Sequence, residues 1–187
     1  MQDRIINEVT ESLIGDNRWR KLSTTNNNWA GDPIFENYHK LGNKQKGVLG
    51  EYFVEQYMKK LKKSEVKSSF NTDHDRVIDG HKTEIKFSLA TSTGNMINLN
   101  KFMINHVAIS KDWERLIFCG INPIGSGAER VRMYFFNKQD FKDYMEKCPD
   151  PIFKHQQSGA KGKNDDYICV KFDEFTKLSF IKEINLW

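Results

Sequence analysis

Cysteine, proline and long apolar runs are all scarce in this chain of 187 residues. Its 3 cysteines are an odd number without CxxC spacing, which argues against a disulfide framework or a zinc knuckle and favours buried free thiols. No stretch approaches the roughly 20 apolar residues of a membrane span, and the first residues lack the pattern of an export signal. We therefore expect a cytoplasmic protein with no membrane partner.

The excess of positive charge is also small. Lys plus Arg is 29 and Asp plus Glu is 25, so the net charge of +4 neither establishes nor excludes a nucleic-acid partner. Lysine is unevenly spread, since eight lysines and only three glutamates lie between residues 39 and 67. Within that stretch, the run 59–63 fits either contacts with phosphates or a solvated helix end.

Hydrophobic periodicity predicts a single α/β domain over residues 1–187. Three parts are expected: an N-terminal helix and loop extension at 1–43, a central core at 44–122, and C-terminal strands, a helix and a polar loop at 123–187. The predicted helices cover 2–15, 44–61 and 138–147, with a last short one starting at Asp173 or Thr176. The predicted strands cover 65–70, 76–78, 83–87, 114–122, 131–136 and 167–172, and the predicted loops cover 16–43, 88–100 and 154–166.

The most informative pattern is a hairpin. Asp79-Gly80 lies between two β-prone runs and predicts a two-residue turn, which places Asp75 directly opposite Glu84. The predicted pairs are Ile78 with His81, Val77 with Lys82 and Arg76 with Thr83. Glu84 and Lys86 are two residues apart and share one face of their strand. The hairpin therefore brings two carboxylates and one ammonium together.

Two carboxylates directly opposite each other on paired strands repel each other unless a cation lies near them. Mg²⁺ prefers carboxylate oxygens, and a lysine beside it can orient a water molecule or neutralise a phosphate. An acidic pair, a lysine and a divalent metal ion together make a site for phosphodiester hydrolysis. The alternative is an exposed hairpin whose charged residues form ordinary cross-strand ion pairs.

The pattern Asp75…Glu84-x-Lys86 resembles the signature of the PD-(D/E)XK nuclease superfamily. In that family an Asp begins one strand and (D/E)-x-K lies on the next. The proline that often precedes the Asp is replaced here by His74. Asp79 also precedes the Glu-x-Lys element, so it is an alternative to Asp75 as the first metal ligand. We favour Asp75 because Asp79 is better explained as part of the turn.

Two further segments support the resemblance. Gly47-Val48-Leu49-Gly50-Glu51 is similar to the first helix of many such nucleases, in which a G-x-x-G-E segment presents a Glu to the metal site. The two glycines would let this helix approach the sheet closely, and Glu51 would supply a third carboxylate unless it is simply solvated. The segment 100–118, with its Asp112-Trp113 pair before a buried strand, is similar to bacterial restriction endonucleases of the superfamily.

The resemblance implies a restriction-endonuclease-like αβββαβ core, with a mixed central sheet flanked by helices. It further implies a Mg²⁺-dependent, sequence-specific double-stranded DNA endonuclease of a type II restriction–modification system, with Mn²⁺ able to substitute. Asp75, Glu84 and the Ile85 carbonyl would hold the metal, Glu51 would complete the acidic cluster, and Lys86 would orient or activate the water. Cleavage of both strands implies a homodimer or a partner subunit. The alternatives are a repair, recombination or nicking nuclease of the same superfamily, or a non-catalytic nucleic-acid-binding protein with the same fold.

Two polar segments offer donors and acceptors for DNA base edges, one at 88–101 and one at 154–164. The candidate DNA-binding residues are Lys46, Ser88, Thr91, Ser92, Asn95, Asn98, Asn100 and Lys101, followed by Lys154, His155, Gln156, Gln157, Lys161, Lys163 and Asn164. Each segment fits an ordinary surface loop equally well.

Overall fold

A computed structural model describes residues 4–5, 8–9, 43–70, 73–90, 92–93, 96–97, 102–122, 130–156 and 166–187. Side chains are described over the same ranges, except at 43–45, 92–93 and 96–97. The predicted N-terminal helix is confirmed where it is described, since Arg4, Ile5, Glu8 and Val9 are helical. The predicted irregular segment up to residue 42 lies outside the described residues.

The helices and strands alternate irregularly along the chain. Helix α1 covers Asn43–Tyr57 and continues as a π-helical turn at Met58–Lys62; α2 covers Lys138–Lys147, α3 covers Phe172–Phe175, and a 3-10 turn covers Ile184–Leu186. The strands are β1 (Val66–Ser68), β2 (Arg76–Ile78), β3 (His81–Leu89), β4 (Ser92–Thr93), β5 (Met96–Ile97), β6 (Ile104–Ala108), β7 (Arg115–Ile121), β8 (Val131–Asn137), β9 (Lys154–His155), β10 (Asp166–Cys169) and β11 (Lys182–Glu183).

A mixed six-stranded sheet organises the fold, with the strand order β1-β2-β3-β7-β8-β11. Strands β3 and β7 are parallel, and the other neighbours in this sheet are antiparallel. A second antiparallel sheet has the order β6-β10-β9, and β4 pairs with β5. The continuous apolar run of β7 explains its central place, because a strand buried on both faces needs apolar side chains in both directions.

Apolar side chains on the two faces of the central sheet form two separate cores. On one face, Leu49 and Phe53 of α1 pack with Ile117 and Cys119 of β7. On the other face, Phe118 of β7 joins a mainly aromatic cluster with side chains from β6, β8, α2 and α3. Because successive strand residues point to opposite faces, β7 contributes to both cores.

The mixed α/β class with a mixed central sheet is confirmed. The predicted helix at 138–147 and the strand at 76–78 have the predicted bounds, and α1, β7 and β8 match their predictions closely. The loop prediction for 88–100 is wrong in part, because β3 continues to Leu89 and β4 and β5 follow. The loop prediction for 154–166 is also wrong at its ends, where β9 pairs with β10. These strands are very short, and only tertiary pairing defines them.

The connection from β3 to the parallel strand β7 differs from the helix that an αβββαβ core implies. Its described residues form strands β4, β5 and β6 instead of a crossover helix. The strand β6 was not predicted, since His106 within it has a positive φ of 54° and interrupts the alternation of buried and exposed residues. Ile104 and Val107 are nevertheless buried, and they attach this connection to the aromatic core.

The two glycines of α1 differ in their surroundings, so replacing each by alanine should change the stability of the protein in opposite directions. A Cβ on Gly50 would lie 2.2 Å from the Cβ of Phe87, whereas a Cβ on Gly47 would meet nothing within 4 Å. We expect Gly50→Ala to destabilise the protein by about 1–3 kcal/mol through overpacking. We expect Gly47→Ala to stabilise it by about 0.5–1 kcal/mol through helix propensity. Urea unfolding measures both, and equal effects would contradict the close helix–sheet contact.

Candidate active site

The β2–β3 hairpin has the predicted turn and register. Asp79 and Gly80 have φ values of 49° and 82°, so both occupy the left-handed region that a type I′ turn requires. The observed pairs are Arg76 with Thr83, Val77 with Lys82 and Ile78 with His81, as predicted. This register decides which side chains of β3 lie beside Asp75.

Asp75 lies immediately before β2, where regular pairing with β3 ends. Its backbone N–H donates to the carbonyl of Thr83 at 3.0 Å. Its carboxylate Oδ2 accepts a hydrogen bond from the N–H of Ile85 at 2.7 Å, and so takes the place of a ladder partner. The N–H and C=O of one strand residue point to the same side, so the Ile85 carbonyl also faces the side of Asp75.

Glu84 is buried and is held by two lysines. Its side chain is only 3% exposed, and its Oε1 accepts from Lys86 Nζ at 2.7 Å and from Lys111 Nζ at 3.2 Å. Its Oε2 is buried and has no hydrogen-bond partner within the part of the chain that the structure describes. An ionised carboxylate in such a place needs cations nearby, and the two ammonium groups supply them.

Lys111 is the participant that sequence reasoning missed. It lies 27 residues from Glu84 in the chain, in the loop between β6 and β7. Its neighbours fix that loop: Asp112 forms an ion pair with Lys82 at 2.6 Å, and its carbonyl contacts His74 Nδ1 at 3.1 Å. Surface lysines are common, so nothing local in the sequence marks this one.

Glu51 reaches the site from α1, on the face of the sheet that carries Ile85. Arg76 Nη1 lies 3.1 Å from Glu51 Oε2, and Arg76 Nε lies 2.8 Å from Glu55 Oε2. The same Nη1 donates to the Asp75 carbonyl at 2.7 Å. Arg76 therefore connects the helix to the acidic end of the hairpin, and its role was not predicted. Glu51 is near the predicted metal ligands, but its direct partner is a guanidinium.

The carboxylates influence one another electrostatically. Burial, helped by the nearby carboxylates of Asp75 and Glu84, raises the pKa of Glu51 from 4.5 to about 7, although Arg76 opposes the shift. Burial and the Glu84 carboxylate also raise the pKa of Asp75, against the effects of the Ile85 N–H and the two lysines. Burial is the largest cause of both shifts, and repulsion between the carboxylates adds to it.

The oxygens of Asp75, Glu84 and the Ile85 carbonyl are compatible with a bound Mg²⁺ ion, although the protein would supply only a few of its ligands. Among the described residues, no three side chains of His, Cys, Asp or Glu are grouped so as to hold a metal ion. Mg²⁺, however, is usually bound through one or two carboxylates and keeps several waters. Asp75, Glu84 and the Ile85 carbonyl would satisfy it, and the buried, unpartnered Oε2 of Glu84 is a ready acceptor. Glu51 Oε2 is bound to Arg76, which leaves Oε1 as the oxygen that could join.

Asp79, the alternative ligand, is occupied by structural contacts. Its Oδ1 accepts from the N–H of Glu65 at 2.8 Å, and its Oδ2 accepts from Trp187 Nε1 at 2.8 Å. Hydrogen bonds from Trp187 and Ser64 help to lower its pKa despite some burial. These bonds hold the side chain on the outer part of the sheet, toward β1 and the C-terminus.

Three of the predicted DNA-reading residues have structural partners. Ser88 Oγ accepts from the N–H of Met103 at 3.1 Å and ties the β3–β7 connection to β3. Gln156 Oε1 accepts from the N–H of His106 at 2.8 Å, and the His155 ring packs on Tyr167 with centroids 4.7 Å apart.

The remaining predicted DNA-reading residues give less information. Lys154, on the edge strand β9, forms an exposed ion pair with Asp150. Burial lowers the pKa of Lys46 on α1. The others lie outside the described side chains: Thr91, Ser92, Asn95, Asn98, Asn100, Lys101, Gln157, Lys161, Lys163 and Asn164.

The lysine run after α1 is largely engaged within the protein. Lys59 pairs with Glu55 at 2.6 Å, and Lys62 Nζ donates to the carbonyl of Asn185 at 3.0 Å. Lys60 pairs with Glu8 of the N-terminal helix. These contacts favour the helix-end interpretation over a surface dedicated to phosphate.

The raised pKa of Glu51 makes a pH dependence of stability testable. Between about pH 4.5 and 7 the folded protein keeps a proton that the unfolded chain has released, so the Glu51 contribution to stability falls as pH rises. Glu51→Gln cannot titrate. We therefore expect its melting temperature, relative to wild type in EDTA, to increase between pH 5 and pH 8.

Glu55→Gln is the matched control, because Glu55 contacts the same arginine. Burial opposes its ionisation, but hydrogen bonds from Lys59 and Arg76 lower the pKa of Glu55. Its stabilising charge is thus fully present above pH 5, and its melting temperature relative to wild type should stay constant from pH 5 to 8. A flat profile for Glu51→Gln as well would contradict the raised pKa of Glu51.

The site therefore combines two neighbouring carboxylates, a backbone carbonyl on the strand edge beside Asp75, and two lysines on the Glu84 carboxylate. Within the described residues, no helix is both long and apolar enough to span a membrane. The chain matches no protein-family model, and no curated protein is significantly similar to it. Residue geometry is consequently the basis on which a function can be assigned.

Proposed function

We propose that this chain is a Mg²⁺-dependent, sequence-specific double-stranded DNA endonuclease of the type II restriction class, with a PD-(D/E)XK site at the end of the β2–β3 hairpin. The observation that carries the proposal is the placement of Glu84. It is a nearly inaccessible carboxylate beside Asp75, with two ammonium groups on one oxygen and no partner for the other among the described residues.

A purely structural role explains this arrangement poorly. Burying charged groups costs several kcal/mol per ion, and well-packed apolar residues of similar volume are often at least as stable. The exposed-hairpin alternative also fails for Glu84, which is 3% exposed, and for Lys86, which is 14% exposed. Clustered carboxylates with raised pKa values are typical of functional sites.

The proposed reaction is hydrolysis of a phosphodiester. A water oxygen forms a bond to phosphorus in line with the departing bridging oxygen, whose bond to phosphorus breaks. The water loses one proton to solvent, and the leaving oxygen takes one up. A bound divalent cation would supply Lewis-acid stabilisation of the phosphate and of the attacking water.

The chain's own residues have separate tasks in this scheme. Asp75 and Glu84 would hold the metal with the Ile85 carbonyl, and the hydrogen bond from the Ile85 N–H orients Asp75. Lys86 donates to Glu84, so we assign it to positioning the water and not to removing its proton. Glu51, held by Arg76, adds negative charge beside the metal position.

Plasmid DNA incubated with Mg²⁺, and in parallel with EDTA, tests the proposal. Discrete fragments that appear only with Mg²⁺ support a restriction endonuclease. A smear would favour a nuclease that reads DNA shape, as in repair or recombination. Binding without any cleavage would favour a non-catalytic nucleic-acid-binding protein, and would contradict the proposal. Equal cutting by a monomer-sized and a dimer-sized fraction would argue against the implied homodimer.

Single substitutions distinguish the two candidate aspartates. We expect Asp75→Asn, Glu84→Gln and Lys86→Ala each to reduce Mg²⁺-dependent cleavage by about 100-fold or more, the scale of losing a positioned catalytic group. Asp79→Asn changes an aspartate only four residues away and should cut at the wild-type rate. Gel-based cleavage at equal concentrations of folded protein measures both effects. If Asp79→Asn is inactive while Asp75→Asn cuts normally, Asp79 is the ligand.

A further inference from the structure

Two lysines contact the same oxygen of Glu84, but they differ in exposure. The Lys86 side chain is 14% exposed and extends from the same strand as Glu84. The Lys111 side chain is 35% exposed and approaches from the loop between β6 and β7. One lysine is enough to position a water molecule, so the second and more accessible one needs another explanation.

The backbone around Lys111 is held independently of its own side chain. The Lys138 ammonium donates to the Lys111 carbonyl and lies 5.4 Å from the centre of the Trp113 ring. Trp113 is buried and donates from Nε1 to the Ala108 carbonyl at 2.8 Å.

The same loop is also joined to β3 on either side of Trp113. Asp112 forms an ion pair with Lys82, and the N–H of Glu114 donates to the Lys82 carbonyl at 2.8 Å. The loop therefore stays in place without the contact between Lys111 and Glu84.

We propose that Lys111 is the phosphate-binding residue of this site. Its ammonium group neutralises Glu84 in the metal-free protein, and it would leave Glu84 to bind a non-bridging oxygen of the scissile DNA phosphate when a divalent cation is bound. This inference rests on the proposed nuclease function and adds to it a substrate contact.

Charge and geometry both support this exchange of partners. A divalent cation on the free Oε2 of Glu84 would lie beside the two ammonium groups on Oε1, and the longer of those two contacts, at 3.2 Å, is the one with Lys111. Like charges repel, so a cation beside Glu84 weakens the hold on Lys111. A phosphate oxygen can then accept a hydrogen bond from Lys111 and balance its charge. In that position the ammonium group stabilises the negative charge that develops on the phosphate oxygens during the reaction.

The variants Lys111→Ala and Lys111→Met test the proposal, and Lys111→Arg is the conservative variant. The Met side chain retains the aliphatic stem in case the shorter one disturbs folding. Lys147→Ala is the control, since Lys147 is an exposed lysine whose charge is paired with Asp143 on α2. Thermal unfolding in EDTA verifies that each variant is folded.

The first readout is the binding of Mn²⁺ alone, measured by calorimetry without DNA. Removing a competing cation from Glu84 should make Mn²⁺ bind at least about threefold more tightly to Lys111→Ala and Lys111→Met. The second is single-turnover cleavage at saturating Mn²⁺, which should slow by about 100-fold or more in the same variants. Lys111→Arg should recover part of the rate, and Lys147→Ala should match wild type in both readouts.

Opposite changes in metal affinity and cleavage rate are the signature of partner exchange. A residue that only stabilises the loop would lower the melting temperature, and its removal would not tighten Mn²⁺ binding. Wild-type cleavage by both Lys111→Ala and Lys111→Met would overturn this inference and leave the nuclease proposal standing. If wild-type protein neither binds Mn²⁺ nor cuts DNA, the nuclease proposal fails and this inference fails with it.

Discussion

The register of the β2–β3 hairpin is the constraint on which the candidate site depends. Side chains alternate between the faces of a strand, so a slip of one residue would exchange the faces of Glu84 and Ile85. Ile85 would then leave the apolar core beneath α1, and a carboxylate would enter it. The Asp79-Gly80 turn prevents this, because both residues occupy the left-handed region that a two-residue turn needs.

The same turn explains what Asp79 does. Its carboxylate joins the N–H of Glu65, before β1, to the indole of Trp187 at the end of the chain. The Trp187 ring also packs at 5.1 Å from Phe135 of β8 and lies under the Arg115 guanidinium. The residue that competes with Asp75 in the sequence pattern therefore joins the turn to the start of β1 and to the C-terminal tryptophan.

Both faces of the sheet contribute to one cluster of charge. Helix α1 brings Glu51 to the end of β2, where it forms an ion pair with Arg76. Close packing of Gly50 on Phe87 sets the position of the helix. The connection between β3 and β7 brings Lys111 from the other face. The cluster forms where β2 ends, because the edge of β3 beyond Thr83 has no further strand partner within the part of the chain that the structure describes. Backbone groups there must find side chains instead.

The sequence predicted the local parts of this arrangement and missed the long-range ones. The turn, the register and the grouping of Asp75 with Glu84 follow from residues close in the chain, and the structure agrees. Helix α1 and strand β7 are long and strongly patterned, and they too were predicted. Lys111 and the partners of Arg76 depend on how the connection and the helix pack, which no local pattern encodes.

The short strands were missed for a related reason. In β6, His106 has a positive φ and its N–H bonds to the Gln156 side chain, so the period of two is lost. In β9, two exposed residues become a strand only because β10 lies beside them. A pattern of buried and exposed residues cannot predict elements whose pairing partners lie far along the chain.

Charge balance connects the metal and the substrate in the proposed function. Three carboxylates, Asp75, Glu84 and Glu51, face three cations, Lys86, Lys111 and Arg76, and Arg76 is shared with Glu55. Glu55 also pairs with Lys59, so the formal charges balance, and burial is the main cause of the raised pKa of Glu51. A divalent ion would make the local charge positive, and a DNA phosphate would then become the favoured partner. Metal binding should thus precede productive DNA binding, whatever the small net charge of the whole chain.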